Sequence, residues 1–424
     1  MFNLIRPAAV SKTALSTIAL SLAAAFAAPV ASAEVVKIAL IETLSGAFAP
    51  IGQNQLHTYQ MFAEMANKQQ LAGAGNTIEV VGFDGKGSPQ ESLTQLKTVI
   101  DQGFHYIAQG NGSGVALALI DAVNKHNERN PGKEIVFLNH SAIDPDLTNS
   151  KCSFWQFRFD ANSDMKMEAL TSYMAKDKGI KKVYIIGQNY AHGQQVTRAA
   201  KELLKRKRPD VEIVGDDLHP IATVKDFSPY IAKIKASGAD TVITGNWGAD
   251  LALLIKAGKD AGLTAKFYTY YAGTSGVPTA MGAAGAGQVK MVAYWHENNE
   301  TYSGHELVDQ FRAKYNDDLY VVDIYTIIEM LSKAVKTAKS ADPTKVAYAM
   351  EGMKVKALNG EVEMRATDHQ AQQPLYIATW TKVDGKTVKY DQEKTGYGWK
   401  TEQKVETYVS TQPTSCQMKR PAKT

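Results

Sequence analysis

The chain has 424 residues, and its 47 Lys and Arg nearly balance its 43 Asp and Glu, which leaves a net charge of +4. A balance this even argues against a nucleic-acid partner, because such partners select strongly basic surfaces. The length exceeds what one hydrophobic core usually organises, so we expect two domains.

The first 33 residues have the order of a secretory signal peptide. Arg6 and Lys12 provide the positive start, residues 14–28 form an apolar run too short to span a bilayer, and residues 31–33 form a small-residue cleavage site. The residue directly after the cleavage site is Glu34 and not Cys, so a lipid anchor is not indicated. We therefore expect a periplasmic protein whose signal peptide is cleaved after Ala33.

Short β-branched segments then alternate with longer amphipathic ones, which is typical of parallel strands joined by crossover helices. The first group predicts strands at 35–42, 77–84, 106–109 and 134–139, and helices near 52–70, 89–103 and 114–128. The second group predicts strands at 182–187, 211–218, 241–244 and 266–271, and helices near 163–178, 191–207, 226–237 and 248–261. A strand at 289–295 and helices at 304–316 and 320–338 follow. The end of the chain, from about 355 to 410, is predicted to be β-rich, with a strand at 375–382 and a hairpin turn at 384–385.

This order predicts two α/β lobes of the doubly wound, Rossmann-like kind, with the chain returning to both of them after residue 286. Several crossings between lobes form a hinge, and a hinge implies a cleft. The predicted first lobe is 34–156 plus 286–345, the second lobe is 157–285 plus 346–400, and 401–424 is a C-terminal tail.

The two cysteines, Cys152 and Cys416, are expected to form a disulfide, because an oxidising compartment allows such a pair to bridge. A metal site is not expected, since neither Cys has a second Cys or a His at ligand spacing. No motif indicates a cofactor.

Several segments, taken in order, resemble the periplasmic substrate-binding proteins of ABC importers, in particular the branched-chain amino-acid branch. They are residues 36–52, Asp84 with the helix after it, residues 111–114, residues 144–147 and residues 228–240. The resemblance covers about 35–380. It implies a type I periplasmic-binding-protein fold with a three-segment hinge, which closes as a monomer on a small solute and presents it to an inner-membrane permease.

Ligands of open α/β sheets bind beyond the carboxyl ends of the strands, so the loops after the strands are the candidates for the site. Asn111, Gly112 and Ser113 follow one strand and lead into a helix, whose first amides and dipole favour a ligand carboxylate. Ser141 and Ala142 match the family segment that helps hold the ligand.

Two positions depart from the amino-acid binders. Ile143 stands where the family has a Thr that contacts the carboxylate and the ammonium, and Tyr271 stands where it has the acidic residue that neutralises the ammonium. An ammonium sealed in a cleft without a counter-charge is costly. We therefore expect a ligand that is not an α-amino acid.

Aromatic residues occupy the remaining ligand positions: Phe48 in the first loop, Tyr190 and His192 after one strand, Trp247 after the next, and Tyr271. Large rings with polar edges suit a flat ligand. The sequence therefore predicts a small carboxylate with an aromatic or otherwise apolar body.

Other functions stay open at this point. A branched-chain amino acid would need an acidic residue elsewhere in the site. An amide or urea would suit Asn111, Asn246 and Tyr271. A membrane receptor, in place of a permease, could recognise the closed state of the protein. An enzyme is disfavoured, because the chain has neither a G-x-S-x-G elbow nor an H-E-x-x-H motif.

Overall fold

A computed structural model describes residues 1–3 and 33–423. The predicted signal peptide lies outside the described residues except at its two ends. Among the described residues, no helix combines the length and the apolar character that crossing a bilayer requires.

The first lobe is built on a parallel sheet of five strands, in the order β2-β1-β3-β4-β5. The three inner strands are almost wholly buried and apolar, as expected for parallel strands covered by helices on both faces. The strands are β1 (Val35–Glu42), β2 (Thr77–Asp84), β3 (Tyr106–Gln109), β4 (Val136–Asn139) and β5 (Gln156–Arg158), and the helices are α1 (Ala49–Lys68), α2 (Pro89–Asp101) and α3 (Ser113–Arg129).

The second lobe begins after β5 and repeats the alternation of helix and strand. Its strands are β6 (Lys182–Gln188), β7 (Glu212–His219), β8 (Thr241–Thr244), β9 (Lys266–Thr269) and β10 (Val289–Ala293). Its helices are α4 (Ser163–Met174), α5 (Ala191–Lys207), α6 (Ser228–Ala236), α7 (Gly248–Asp260) and the short α8 (Val277–Met281).

After β10 the chain returns to the first lobe, where α10 packs on α1. The elements of this return are α9 (His305–Tyr315), α10 (Asp323–Ala338), α11 (Pro343–Met350) and a small antiparallel sheet of β11 (Lys354–Ala357), β12 (Gly360–Met364) and β13 (Ala371–Gln372). Finally β14 (Leu375–Lys382), β15 (Tyr397–Val405) and the short α12 (Thr407–Ser410) follow.

The second sheet has the order β15-β14-β10-β9-β8-β6-β7, with β14 and β15 antiparallel to their neighbours. The chain thus crosses between the lobes after β5, after β10 and between β13 and β14, which confirms the predicted two-lobed α/β fold with a three-segment hinge. Because β10 pairs with β9 and β14, we propose that the lobe boundary lies after β10 rather than at residue 286.

The C-terminal tail connects the lobes a further time. It leaves the second sheet at the end of β15 and reaches the first lobe, where Cys416 forms the predicted disulfide with Cys152. The two Cα atoms are 5.7 Å apart, although the two cysteines are separated by 264 residues in the sequence. The Tyr348 hydroxyl donates a hydrogen bond to the Pro421 carbonyl at 2.6 Å, which fixes the end of the tail to α11.

Replacing Cys152 by Ser is expected to lower the free energy of unfolding by about 2–4 kcal/mol, because the bridge no longer restricts the unfolded chain. Denaturant unfolding measures this loss. Cys416→Ser and the double variant are matched controls and should lose the same amount, since each removes the same bond. Equal stability of the wild-type and Cys152→Ser proteins would contradict a stabilising role for the bridge.

Candidate ligand-binding site

A large cavity lies between the two lobes, beyond the carboxyl ends of β3, β4, β6, β8 and β9. Measured to the centres of water-sized spheres its volume is about 120 Å³, several times the roughly 10–15 Å³ that one water molecule needs. Eight predicted site residues line it: Asn111, Gly112, Ser113, Ser141, Tyr190, His192, Trp247 and Tyr271. The remaining two, Phe48 and Ala142, lie outside the wall of the cavity.

The start of α3 forms one wall of the cavity. The Ser113 hydroxyl accepts a hydrogen bond from the Asp144 amide at 3.2 Å, which leaves the hydroxyl proton free to be donated into the cavity. The Ser113 and Gly114 amides have no protein acceptor in the described part of the chain, as is usual for the first turn of a helix. This wall therefore offers hydrogen-bond donors and the positive end of a helix dipole.

The amides of Gly110 and Asn111, earlier in the same loop, are already used by the protein. The Glu42 carboxylate accepts hydrogen bonds from the amides of Gly110, at 2.5 Å, and Asn111, at 2.8 Å. The Asn111 side chain forms two hydrogen bonds with the side-chain amide of Gln55. Only the Ser113 end of this loop is thus available to a ligand through its backbone.

The next loop is held in the same way. The Asn139 side-chain oxygen accepts hydrogen bonds from the amides of Ser141 and Ala142, at 3.2 and 2.8 Å. Ser141 lines the cavity, whereas Ala142 is buried behind it. This loop can therefore offer a ligand the Ser141 side chain but not these two amides.

An aromatic wall comes from the second lobe. The indole N–H of Trp247, at the start of α7, donates a hydrogen bond to the Tyr190 hydroxyl at 2.8 Å. Phe48 of the first lobe packs on Trp247 with ring centroids 4.2 Å apart, so that the two lobes meet at the rim of the cavity. Gly248 permits this approach, because a Cβ on it would lie 3.0 Å from both Ile51 and Phe48 and its φ is +59°.

His192 lines the cavity, but the protein uses both of its ring nitrogens. Nε2 lies 3.0 Å from the Gly245 carbonyl oxygen, which can only accept, so Nε2 carries the proton. Nδ1 lies 3.0 Å from the Ser163 hydroxyl. Burial lowers the pKa of His192 to about 4, and the neutral ring orients α5 rather than supplying a charge to the ligand.

A buried ion pair beside Tyr271 forms the innermost wall. Lys166 and Asp160 are each 1% exposed, and Nζ lies 2.8 Å from Oδ2 of Asp160. Nζ also lies 4.5 Å from the centre of the Tyr271 ring, whose hydroxyl donates to the same Oδ2 at 3.4 Å. Oδ1 of Asp160 has no partner among the described residues.

This ion pair corrects the expectation that no acidic side chain faces the ligand. Tyr271 does stand where the family has its acidic residue, but Asp160 reaches the cavity from the first crossing between the lobes. Asp160 follows β5, which is only three residues long and carries no clear strand pattern. The sequence pattern therefore reveals neither β5 nor the loop after it as part of the site.

The hairpin between β14 and β15 closes the opposite side of the cavity. Arg312 of α9 donates hydrogen bonds to the Asp391 carbonyl at 2.8 Å and to the Asp318 carboxylate at 2.6 Å. Glu297 lines the cavity next to Arg312, and burial raises the pKa of this carboxyl to about 7. Both rims of the cavity are thus held by contacts between the lobes.

The family model of the periplasmic binding proteins matches residues 35–386. The chain belongs to this family. The match covers the first lobe and most of the second, including the loops after β3, β4, β6, β8 and β9 that line the cavity. Strand β15 and the cavity-lining residues from Tyr390 onward follow the match. Family members are substrate-binding receptors, so this periplasmic binding protein is assigned to transport rather than to catalysis.

A protein from Brucella abortus named Leu/Ile/Val-binding protein homolog 4 is 35% identical over 95% of this chain and 96% of its own length. The closed structure of a leucine-, isoleucine-, valine-, threonine- and alanine-binding protein from Brucella ovis has a TM-score of 0.80 and 32% identity, over 92% of this chain and all of that chain. A Rhodopseudomonas palustris solute-binding protein in complex with benzoate has a TM-score of 0.76 at 20% identity, over 90% of this chain and 99% of its own, which shows the fold alone.

Within the described residues of this periplasmic binding protein, no three His, Cys, Asp or Glu side chains cluster as metal ligands would. Its cavity instead combines free donors on α3, aromatic rings and a buried ion pair. Such a lining is suited to holding an organic solute by hydrogen bonds and packing.

Proposed function

We propose that this protein captures a small carboxylate with an aromatic or otherwise apolar body and delivers it, as a monomer, to the permease of an ABC importer. The observation that carries the proposal is the cavity itself. Free donors at the start of α3 and the rings of Tyr190, Trp247 and Tyr271 line one space that both lobes enclose.

The carboxylate is assigned to the start of α3. The Ser113 hydroxyl and the unpaired amides of the first turn would donate to it, and the helix dipole favours its charge by about 0.3–1 kcal/mol, more when the site is partly buried. Hydrogen bonds to a charged acceptor are worth about 1.5–3 kcal/mol each, and a sealed cavity strengthens them.

Beside Tyr271, an ammonium finds no uncompensated negative charge. The other carboxylates of the cavity wall, Glu297, Asp318 and Asp391, lie on the opposite side around Arg312. Lys166 already neutralises Asp160 at 2.8 Å, and Glu42 is occupied by two backbone amides. A cation placed against Asp160 would also face the buried Lys166 ammonium, and like charges repel strongly where water is excluded. The charge distribution therefore favours a ligand with an apolar body over an α-amino acid.

An amino acid is the second candidate, and one specific observation favours it. Asp160 is a residue of the cavity wall, and its Oδ1 is buried and has no partner within the described part of the chain, so it can accept a hydrogen bond from a ligand ammonium. The names of the relatives from Brucella point in the same direction, whereas solved proteins of the same fold hold benzoate or 4-hydroxybenzoate.

A thermal-shift panel on the chain from Glu34 onward tests the proposal. Ligands that bind only the folded state raise the melting temperature, and the rise grows with the ratio of ligand concentration to Kd. We expect aromatic carboxylates to raise the melting temperature more than leucine, 2-oxo acids or urea do. A response to leucine alone would replace the proposal by the second candidate.

Replacing Ser113 by Ala is expected to weaken the binding of aromatic carboxylates by about tenfold or more, because a donor to the charged group is lost. The corresponding carboxamides serve as the matched control and should lose less, since a neutral acceptor forms a weaker bond. Calorimetric titration of both ligand types gives the two ratios. Equal losses for acid and amide would place the carboxylate elsewhere in the cavity.

Binding is expected to shift an equilibrium between open and closed lobes, and the permease would then recognise the closed form. The ligand would dock first on the first lobe through Ser113 and Ser141. Tyr190, Trp247 and Tyr271 would follow with the second lobe, and Phe48 would pack on Trp247 as the rim closes.

A further inference from the structure

We infer that Asp160 and Lys166 together recognise a hydroxyl group on the ligand, so that the preferred solute is a hydroxylated aromatic carboxylate. This inference rests on the proposed function and assigns a specificity-determining pair within the same cavity. Asp160 lines the cavity from the first crossing between the lobes and Lys166 from the start of α4, both away from the sequence segments that the family resemblance indicated.

Both members of the ion pair have hydrogen-bonding groups that no described residue uses. Asp160 uses Oδ2 for Lys166 and Tyr271, while its Oδ1 has no partner among the described residues. Lys166 has three N–H donors, and its one hydrogen bond within the described residues goes to Asp160. An unsatisfied buried polar group is costly, so a ligand that completes both valences is favoured.

A hydroxyl group is the simplest group that can bond both to the unused Asp160 oxygen and to an unused N–H of Lys166. Its proton can be donated to Oδ1 of Asp160 while its oxygen accepts from Nζ of Lys166. A second carboxylate would accept from Lys166 but be repelled by Asp160, and an ammonium would meet the opposite conflict. Because the pair carries no net charge, a neutral group that both donates and accepts suits it best.

The surroundings of the pair position such a hydroxyl at the edge of a ring. Tyr271 covers Lys166 with its ring face at 4.5 Å, and Tyr270 lies on the same side at 5.9 Å. Burial raises the pKa of Asp160 above its ordinary value, although Lys166 opposes that shift. An aromatic ligand would occupy the space that these rings leave in the cavity. Its carboxylate would point toward Ser113 and its hydroxyl toward Asp160.

The test compares matched ligands by calorimetric titration: benzoate against 3- and 4-hydroxybenzoate. Leucine is titrated as well, as the amino-acid ligand that tests the proposed function. The wild-type protein is expected to bind at least one hydroxybenzoate about 10- to 100-fold more tightly than benzoate, the range of a hydrogen bond to a charged group. In Asp160→Asn and Lys166→Met this preference should fall to about threefold or less.

The ratio of two affinities within one protein does not depend on how much of a variant is folded, so it keeps the test valid if either variant is destabilised. Asp323→Asn is the matched control. Asp323 is a buried carboxyl whose pKa is raised by burial and by the Asp160 charge, but it lies outside the wall of the cavity, so this variant should keep the wild-type preference.

Equal binding of benzoate and both hydroxybenzoates by the wild-type protein would overturn the inference while leaving the proposed function intact. A preference that survives in Asp160→Asn would also overturn it, because the hydroxyl would then be bound elsewhere. Binding of leucine with no response to any aromatic acid would overturn the proposed function and the inference together.

Discussion

Trp247→Ala is expected to weaken ligand binding by more than tenfold while leaving the fold intact. The indole forms part of the cavity wall, holds the Tyr190 hydroxyl at 2.8 Å and packs on Phe48 across the rim. Its removal deletes a wall of the site and the contact that joins the lobes at one rim, and buried aromatic anchors are typical hot spots of binding. Calorimetric titration with the preferred aromatic carboxylate measures the loss.

Two variants separate the parts of this effect. Tyr190→Phe removes the partner of the indole N–H but keeps both rings, so a smaller loss is expected. Phe48→Ala removes the packing across the rim but no residue of the cavity wall, so it should act on closure and not on ligand preference. Unchanged affinity in Trp247→Ala would remove this residue from the site.

Arg158→Met is expected to lower the free energy of unfolding by about 3–5 kcal/mol, the cost of breaking a buried charged network. The Arg158 side chain, at the end of β5, is 0% exposed. It donates hydrogen bonds to the Gln370 side chain at 2.6 Å and to the Asp144 carbonyl at 2.5 Å, and it also reaches the Thr148 hydroxyl. The variant leaves these acceptors buried without a donor.

Arg206→Met provides the contrast, because the Arg206 side chain is 61% exposed and its ion pair with Glu168 is at the surface. Such pairs contribute about 0–1 kcal/mol. Urea unfolding of the two variants and the wild-type protein measures both losses. A loss below about 1 kcal/mol in Arg158→Met would contradict the role of this side chain in joining β5 to the small sheet at Gln370.

The regular elements could be predicted from the sequence because their patterns are local. Strands β1, β2, β3 and β8 have the predicted bounds, since each is a short β-branched run with a clear helix after it. Strand β5 was missed, and β11 to β13 were predicted only as part of a β-rich end. These strands are short, and the end of β5 takes part of its pairing from a distant segment. Gln370, for example, pairs with Arg158 across more than two hundred residues.

The site was predictable to the extent that it follows from strand ends. Ser113, Tyr190, Trp247 and Tyr271 each follow a strand or begin the helix after it, and all four line the cavity. The ion pair of Asp160 and Lys166 was not predictable in this way. Its two members lie on a hinge segment and on α4, and tertiary packing, which local spacing does not reveal, brings them to Tyr271.

Side-chain partners also decide which predicted residues can bind. The sequence suggests that His192 and the amides near Asn111 are available to a ligand. In the structure, Ser163 and Gly245 take the two nitrogens of His192, and Glu42 takes the Asn111 amide. These partners come from other parts of the chain, so spacing within a motif cannot reveal them.

Calorimetric titration of the chain from Glu34 onward with 4-hydroxybenzoate and with leucine, under one set of conditions, tests the central claim most directly. The claim is that the cavity binds a negative group at α3 and offers an ammonium no uncompensated negative charge beside Tyr271. Saturable binding of the aromatic acid with no heat from leucine is the predicted result. Tight binding of leucine, with no binding of the aromatic acid, would contradict it.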